Sequence, residues 1–350
     1  MNILFTCAGR RNYLINYFKQ ALNGKGEIIA VDNNLLAPAL ADADRSFKLP
    51  SIYDDNYIIE LKKVVDQFNV NAVISLNDLE LPILTKHKKE LESETCRVIV
   101  SNDSVIDIGF DKWKTYQFIK ELGLKSPKTY ISFEEAKEAI KDGMLKFPLV
   151  LKPRWGSASI GIEFPECSEE LELSYKLLKI RLQHTIFNKA SQKAYDEAIL
   201  IQEKINGKEY GMDILNNFEG IYMGTYAREK ISMRAGETDR AISVIDDKLL
   251  QIGRTIGENL GHVGNLDCDV FYDNNGIYVL ELNPRFGGGY PFSHEAGINI
   301  AAIYIAWLEG KKDIKPFDDY KAGKIFSKCD RLMEIKLKEH SSSVLHQTKN

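Results

Sequence analysis

Residues 264–285 read GNLDCDVFYDNNGIYVLELNPR, and this stretch decides the fold. Gly264 to Phe271 and Ile277 to Asn283 are two strand-like runs joined by the turn residues Asp273, Asn274, Asn275 and Gly276, a β-hairpin pattern. Period-two alternation puts Glu281 and Asn283 on one face of the second strand, and pairing through the turn is expected to bring Asp267 beside Glu281. Asp267, Glu281 and Asn283 are then three converging hard oxygen donors. Magnesium prefers such donors and shares its octahedral shell between a few protein groups and substrate phosphates. An exposed acidic hairpin face does not explain why Glu281 and Asn283 interrupt an apolar strand that runs into Pro284, Arg285 and the glycines 287–289.

Upstream, Tyr210 to Leu215 and Ile221 to Tyr226 flank the turn residues 216–220, a second hairpin and the start of an antiparallel sheet. Before it, Ile199 to Ile201 leads into Gln202, Glu203, Lys204 and Ile205, with Glu209 a little further on. A buried strand that ends in exposed backbone and carboxylates suits a nucleoside: backbone groups pair with the base and an acid accepts from ribose hydroxyls. Earlier still, Phe147 to Pro153 is a strand that delivers Lys152 at its end, followed by Gly156, Ser157, Ala158, Ser159 and Gly161 entering another strand. Small residues let backbone amides wrap oxygen anions and lysine adds a mobile charge, a phosphate-holding arrangement. It is not a P-loop, because no G-x-x-x-x-G-K-[ST] occurs and the lysine precedes the glycines.

The first hundred residues alternate strands and helices. Asn2 to Thr6 is a strand, and Leu14, Ile15, Phe18 and Leu22 mark one face of a helix. Ile28 to Val31 is a second strand ending at Asp32, the apolar residues from Tyr57 to Phe68 recur at helical spacing, and Ala72 to Leu76 is a third strand. This pattern predicts a doubly wound parallel sheet, whose ligands sit at the carboxyl ends of the strands, here Cys7 to Arg11, Asp32 and Asn77 to Glu80. The turn Cys7-Ala8-Gly9-Arg10-Arg11 lacks the G-x-G-x-x-G of a dinucleotide site and reads instead as a packing turn that holds a substrate anion through Arg10 or Arg11. A helix from Asp111 to Leu122 with Asp111 as its cap opens a new domain.

The 350 residues carry a net charge of −4, giving no general drive toward nucleic acid, and contain no apolar run of membrane-spanning length. A cytoplasmic protein with small-molecule partners is expected, with no membrane and no nucleic-acid partner. The five cysteines form no C-x-x-C pair and the six histidines show no zinc spacing. Glu169 to His184 is expected to be an amphipathic cover helix, and the polar residues 339–350 a frayed end.

Taken in order, Lys112, Lys152 with its Gly/Ser loop, Gln202-Glu203-x-Ile205 with Glu209, and Asp267 followed by Glu281-Leu282-Asn283-Pro284-Arg285 resemble the ATP-grasp superfamily. The branch most similar is that of the carbamoyl phosphate synthetase large subunit, and the likeness covers about residues 1–310. It implies a mixed α/β and α+β chain: a pre-ATP-grasp domain with a doubly wound parallel sheet (1–108), a small ATP-grasp subdomain (109–200), a C-terminal subdomain with the metal site (201–325), both with antiparallel sheets, and an extension (326–350). It further implies that Lys112 and Lys152 contact ATP phosphates with Ser157 and Ser159, and that Gln202, Glu203, Lys204 and Ile205 line the adenine hinge. Glu209 would hold ribose, while Asp267, Glu281 and Asn283 would hold Mg2+, with Mn2+ as an alternative. Arg285, Lys152 and Arg234 are the implied catalytic groups, and Arg228, Arg234, Gly287, Gly288 and Ser293 the implied substrate contacts, with Arg228 and Arg234 open between ATP and substrate. The glycines at 156–161 and 287–289 are expected to be lids. The implied activity is a carboxylate-amine ligase that works through an acyl phosphate, releases ADP and phosphate, and is a homodimer like many relatives. A non-catalytic nucleotide-binding module and a carboxyphosphate enzyme are the alternatives.

Overall fold

The computed structural model describes residues 1–156, 160–185 and 188–335, and of residue 193 the backbone alone. Ser157 and Ser159 lie outside the described residues, as do residues 339–350.

The N-terminal sheet is parallel, in the order β3-β2-β1-β4-β5, built from β1 (Asn2–Thr6), β2 (Ile28–Asp32), β3 (Arg45–Lys48), β4 (Val70–Ser75) and β5 (Arg97–Ile99). Its inner strands are nearly continuous apolar runs because both faces are covered, as a parallel sheet requires. One face packs on helix Tyr57–Gln67 through Leu61, Val64 and Val65. The other meets helix Asn12–Leu22, whose buried residues are Leu14, Ile15, Phe18 and Leu22, the stripe read from the sequence. The short edge strand β3, RSFK, was not expected. It is polar and mostly exposed, so it carries no alternation to read.

Next come β6 (Thr129–Tyr130), β7 (Leu149–Pro153) and β8 (Ile199–Glu203), an antiparallel sheet in the order β6-β8-β7. The Gly/Ser loop does not enter a full strand: Glu163 makes a single antiparallel bridge with Leu151. The third sheet runs β13-β12-β9-β10-β11-β14, from β9 (Lys208–Asn216), β10 (Tyr222–Arg234), β11 (Glu237–Val244), β12 (Gly264–Asp273), β13 (Gly276–Asn283) and β14 (Ile325–Ser327). One of its faces is apolar: Met212, Ile214, Ala227, Leu266, Cys268 and Leu282 pack on helix Asp247–Leu260. By strand alternation, the residues between them face the other way, and these form the site.

Three domain boundaries shift. Helix Asp103–Phe110 runs through 108/109, and it and helix Lys112–Glu121 pack by Val105 and Ile119 into the core of the large sheet instead of the small subdomain. Strand β8 runs through 200/201 and belongs to the small sheet. Strand β14 runs through 325/326, because residues 325–327 pair with Ile242, Ala241 and Arg240 of β11. The apolar helix Ile300–Leu308 packs against the N-terminal domain, where Ile303 and Tyr304 join Phe18 in one core. This helix therefore shares one core with the N-terminal domain.

Candidate active site

The register of β12 and β13 sets the geometry. Asp267 lies opposite Asn283 and Asp269 opposite Glu281, so all four share the polar face of the large sheet. A bulge between Asp269 and Val270, where Leu280 is the extra residue, turns Phe271 and Leu280 toward the same cleft. This register differs from the expected pairing of Asp267 with Glu281. The carboxylate facing Glu281 is Asp269, whereas Asp267 points to Arg228 at 3.0 Å and Arg285 at 3.7 Å. One-residue shifts in a hairpin depend on turn and bulge, which spacing alone does not specify.

Each acid has its own cation. Lys112 Nζ lies 2.9 Å from Glu281 and donates to the Gly156 carbonyl at 2.7 Å. Lys230, nearly buried, sits 2.7 Å from both Asp269 and Glu209. Burial raises the Glu281 carboxyl, yet Lys112, with Lys152 and Lys230, pulls it down to about 2. Asp269 moves the other way, to about 6, because burial and the nearby Asp267 and Glu281 outweigh Lys230. Lys152 is buried beside Lys112, and both effects lower it to about 8. Its Nζ donates to Gln202 Oε1 at 2.9 Å, and Gln202 Nε2 donates to Thr129 at 2.7 Å. The Gln202 side chain therefore steadies Lys152.

Two cavities meet here. One, of about 390 Å³, lies between the small and large sheets and is lined by Val150, Ile160, Ile162, Phe164, Phe271 and Leu280 together with Lys112, Lys152, Gln202, Glu203, Lys204, Ile205 and Glu209. The Ile205 amide, beside its apolar wall, has no partner among the described residues. The second, of about 250 Å³, lies between the large sheet and the N-terminal strand ends, with Arg11, Asn77, Asp78, Arg228, Lys230, Glu237, Arg285 and Gly288 in its walls. Asp269 and Glu281 line both. The crevice expected at Cys7 to Arg11 and Asn77 to Glu80 is thus one wall of the second cavity, although Glu80 itself is buried and accepts from Thr6, Ser75 and Tyr57.

Several expected contacts are not of the expected kind. Arg234 sits at the β10–β11 turn, 51% exposed, paired with Asp239 at 3.0 Å and Asp330 at 2.7 Å, and lines neither cavity. Sequence shows the charge of a hairpin tip but not its reach. Arg228 is 1% exposed and already donates to Asp213 and Asp267; its Nε has no partner among the described residues but is sealed in the interior, so no fork is open to a substrate carboxylate. Ser293 is buried, donates to Asp213 at 2.7 Å and accepts from Arg228 at 3.1 Å; it steadies Arg228 from behind. The glycines 287–289 are not a lid but a close-packed wall. A Cβ on Gly287 would lie 2.1 Å from Asp267 Cγ and one on Gly289 2.2 Å from Arg228 Nη2. Arg285 reaches the N-terminal domain, donating to Asp78 at 2.7 Å.

Asp269, Lys230 and Asp213 were missed as site residues. The signal for Asp269 was present, because Asp267-x-Asp269 puts charge on alternate positions between the apolar Leu266, Cys268 and Val270, whereas Glu229 between Arg228 and Lys230 hides the same alternation on β10.

Residues 110–289 match the ATP-grasp domain family, and residues 3–99 match the N-terminal domain of PylC-like proteins. This chain belongs to the ATP-grasp family. Its relatives place it in the carbamoyl-phosphate-synthase-like branch of these enzymes. The carbamoyl-phosphate synthase of Methanobrevibacter smithii is 27% identical over 91% of this chain and 83% of its own length. The large chain from Clostridium acetobutylicum is 25% identical over 83% of this chain, which spans only 27% of that relative's length. Among solved structures, the biotin carboxylase domain dimer of Hydrogenobacter thermophilus 2-oxoglutarate carboxylase, in complex with MgADP, ADP and bicarbonate, superposes with a TM-score of 0.68 over 89% of this chain and 70% of that one, at 18% identity. The L-amino acid ligase of Bacillus licheniformis gives 0.68 over 92% of this chain and 78% of that one, at 17% identity. These two likenesses are of fold. Among the described residues, no helix of this ATP-grasp protein is long and apolar enough to cross a membrane.

Proposed function

We propose that the protein is an ATP-dependent ligase that joins a small carboxylate to an amine, forming an amide or peptide bond through an acyl phosphate and releasing ADP and phosphate. The observation that carries this reading is the meeting of two cavities at Asp269 and Glu281. The larger has an apolar wall, an Ile205 amide without a partner among the described residues and Glu209 for a nucleoside, and Lys112 and Lys152 for its phosphates. The smaller takes the acid and the amine.

The donor set fits a divalent cation. Asp269, Glu281 and Asn283 offer hard oxygens on one face of paired strands. Among the described residues no three His, Cys, Asp or Glu side chains form a metal cluster, and an ion bound here would complete its shell on phosphate oxygens. Magnesium bound there, or manganese in its place, would neutralise phosphate charge where a nucleophile approaches. Lys112 and Lys152 would hold the β- and γ-phosphates, their charges fixed by Gly156 and Gln202. A carboxylate oxygen attacks the γ-phosphorus, the bond to the bridging oxygen breaks, and ADP leaves with the electron pair. The amine then adds to the acyl carbon, phosphate departs and the nitrogen proton is released. Lys152 and Arg285 offset the negative charge that grows in the first step. A homodimer and a cytoplasmic location belong to the same proposal.

Phosphate release by the purified protein with Mg-ATP, scanned against pools of amino acids, small carboxylates and amines, tests the reading. Stimulation by a pool, abolished in Glu281→Gln, is the expected result. Tight ATP binding with no stimulation by any pool would overturn it in favour of a binding module.

A further inference from the structure

Four cations line the smaller cavity, and three of them are already spent on carboxylates of the chain. Arg228 donates to Asp213 and Asp267, Lys230 to Glu209 and Asp269, and Arg285 to Asp78. Arg11 is different. Its Nη1 donates to the Tyr13 hydroxyl at 2.8 Å, and the nearest carboxylate oxygen, on Glu237, is 3.6 Å away, beyond hydrogen-bond reach. Glu237 is instead engaged by Lys328 at 3.1 Å. Among the described residues, Arg11 Nε and Nη2 make no hydrogen bond, although the side chain is only 19% exposed. Both idle nitrogens are open to the cavity and not sealed in the interior, so an anion entering it can reach them.

The surroundings hold that opening ready. The turn that carries Arg11 is fixed by the Gly9 amide, which donates to Asp32 at 2.8 Å, and Tyr13 Oη reaches the Gly287 carbonyl at 3.3 Å. The facing wall is Gly288, where a Cβ would stand 2.8 Å from Arg11 Nη1 and 3.2 Å from Glu237 Oε2. Glycine at that position keeps space in front of the guanidinium. The planar fork of arginine matches a carboxylate by two parallel hydrogen bonds. At about 250 Å³ the cavity lies below the range typical of drug-sized ligands, so its occupant is small.

We propose, resting on the ligase reading of this same cavity, that Arg11 anchors a carboxylate of the substrate that is not the group undergoing reaction. The substrate is therefore a small bifunctional acid of the amino-acid class, held by Arg11 at one end while its other group faces Asp269 and Glu281.

The test uses the full chain with Mg-ATP and compares L-amino acids with the corresponding α-amides, which lack the anchoring charge. Binding is read by calorimetry and turnover by ADP release. The amides should bind the wild type, and the amino acids the Arg11→Met variant, at least about tenfold more weakly than the amino acids bind the wild type, and KM should rise by the same factor. Equal binding by acids and amides, equal binding by wild type and Arg11→Met, or no amino-acid binding at all overturns the assignment. Binding that depends on Arg11 without any ADP release would sink the ligase reading and leave the anchor standing. If Arg11→Met is unfolded by circular dichroism, Arg11→Lys, which keeps the charge and loses the fork, decides by the same comparison.

Discussion

Replacing Asp267 and Asp269 separately by Asn should produce two different defects, although the residues are two apart on one strand. Asp267 is enclosed by Arg228 and Arg285, which are 1% and 8% exposed, at 3.0 and 3.7 Å. Removing its charge strands buried guanidinium groups, and breaking a buried pair costs about 3–5 kcal/mol. Because Arg228 keeps Asp213 and Arg285 keeps Asp78, the lower end, about 3 kcal/mol, is expected for Asp267→Asn. Asp269 has one cation, Lys230, which retains Glu209 at 2.7 Å, so Asp269→Asn should cost roughly 1–2 kcal/mol. Its loss falls on chemistry: Asp269 faces Glu281 and lines both cavities, and turnover should drop about a hundredfold or more, the scale for one preorganised electrostatic group. Urea unfolding followed by circular dichroism gives the first quantity and ADP release the second. An Asp267→Asn protein as stable as wild type, or an Asp269→Asn protein with full metal-dependent turnover, would refute the roles drawn from the register.

Lys152 is lowered to about 8 in the free protein, so it is mostly protonated below that pH and neutral above it; nucleotide affinity should weaken by up to tenfold per unit as pH rises beyond about 8, measured by calorimetry from pH 6 to 10. The Lys152→Ala variant should lack this limb. His262, buried and bonded through Nε2 to the Ile214 carbonyl, is lowered from 6.5 to about 4 by burial. Its folded value lies below its unfolded one, so its contribution is complete above about pH 6.5 and is lost as pH falls toward 4, amounting to about 3 kcal/mol. Urea midpoints across that window should fall in wild type, and an unchanged midpoint between pH 6.5 and 4.5 would count against it. Gly287→Ala places a Cβ against the Asp267 carboxylate and should cost about 1–3 kcal/mol, read as a lowered melting temperature; an unaffected protein would mean that the wall can yield.

Much of the N-terminal domain was legible because its signals are local. Leu14, Ile15, Phe18 and Leu22 declare a helix face by spacing alone, and Asp111 declares a cap, confirmed by its bonds to the amides of Trp113 and Lys114. Strand β3 was illegible because its residues face solvent and repeat no pattern. Helix Ile300–Leu308 is apolar almost throughout, and no local signal says that it packs on the N-terminal domain, far away along the chain.

The sequence by itself determined the ATP-grasp fold, the hairpin at 264–285 and the apolar face that carries it. Composition and alternation fix which side of a strand is buried, since every second residue must leave water together. Only the tertiary structure decided which acid faces Glu281, that Arg228 is locked between Asp213 and Asp267, that Arg234 is outside the cavities, and that Arg11, unlike the other three cations of the smaller cavity, has no carboxylate within hydrogen-bond reach among the described residues. Pairing of charges is a contest among groups brought together from distant strands. Its outcome follows register, bulges and burial, quantities that do not exist until the sheets have met.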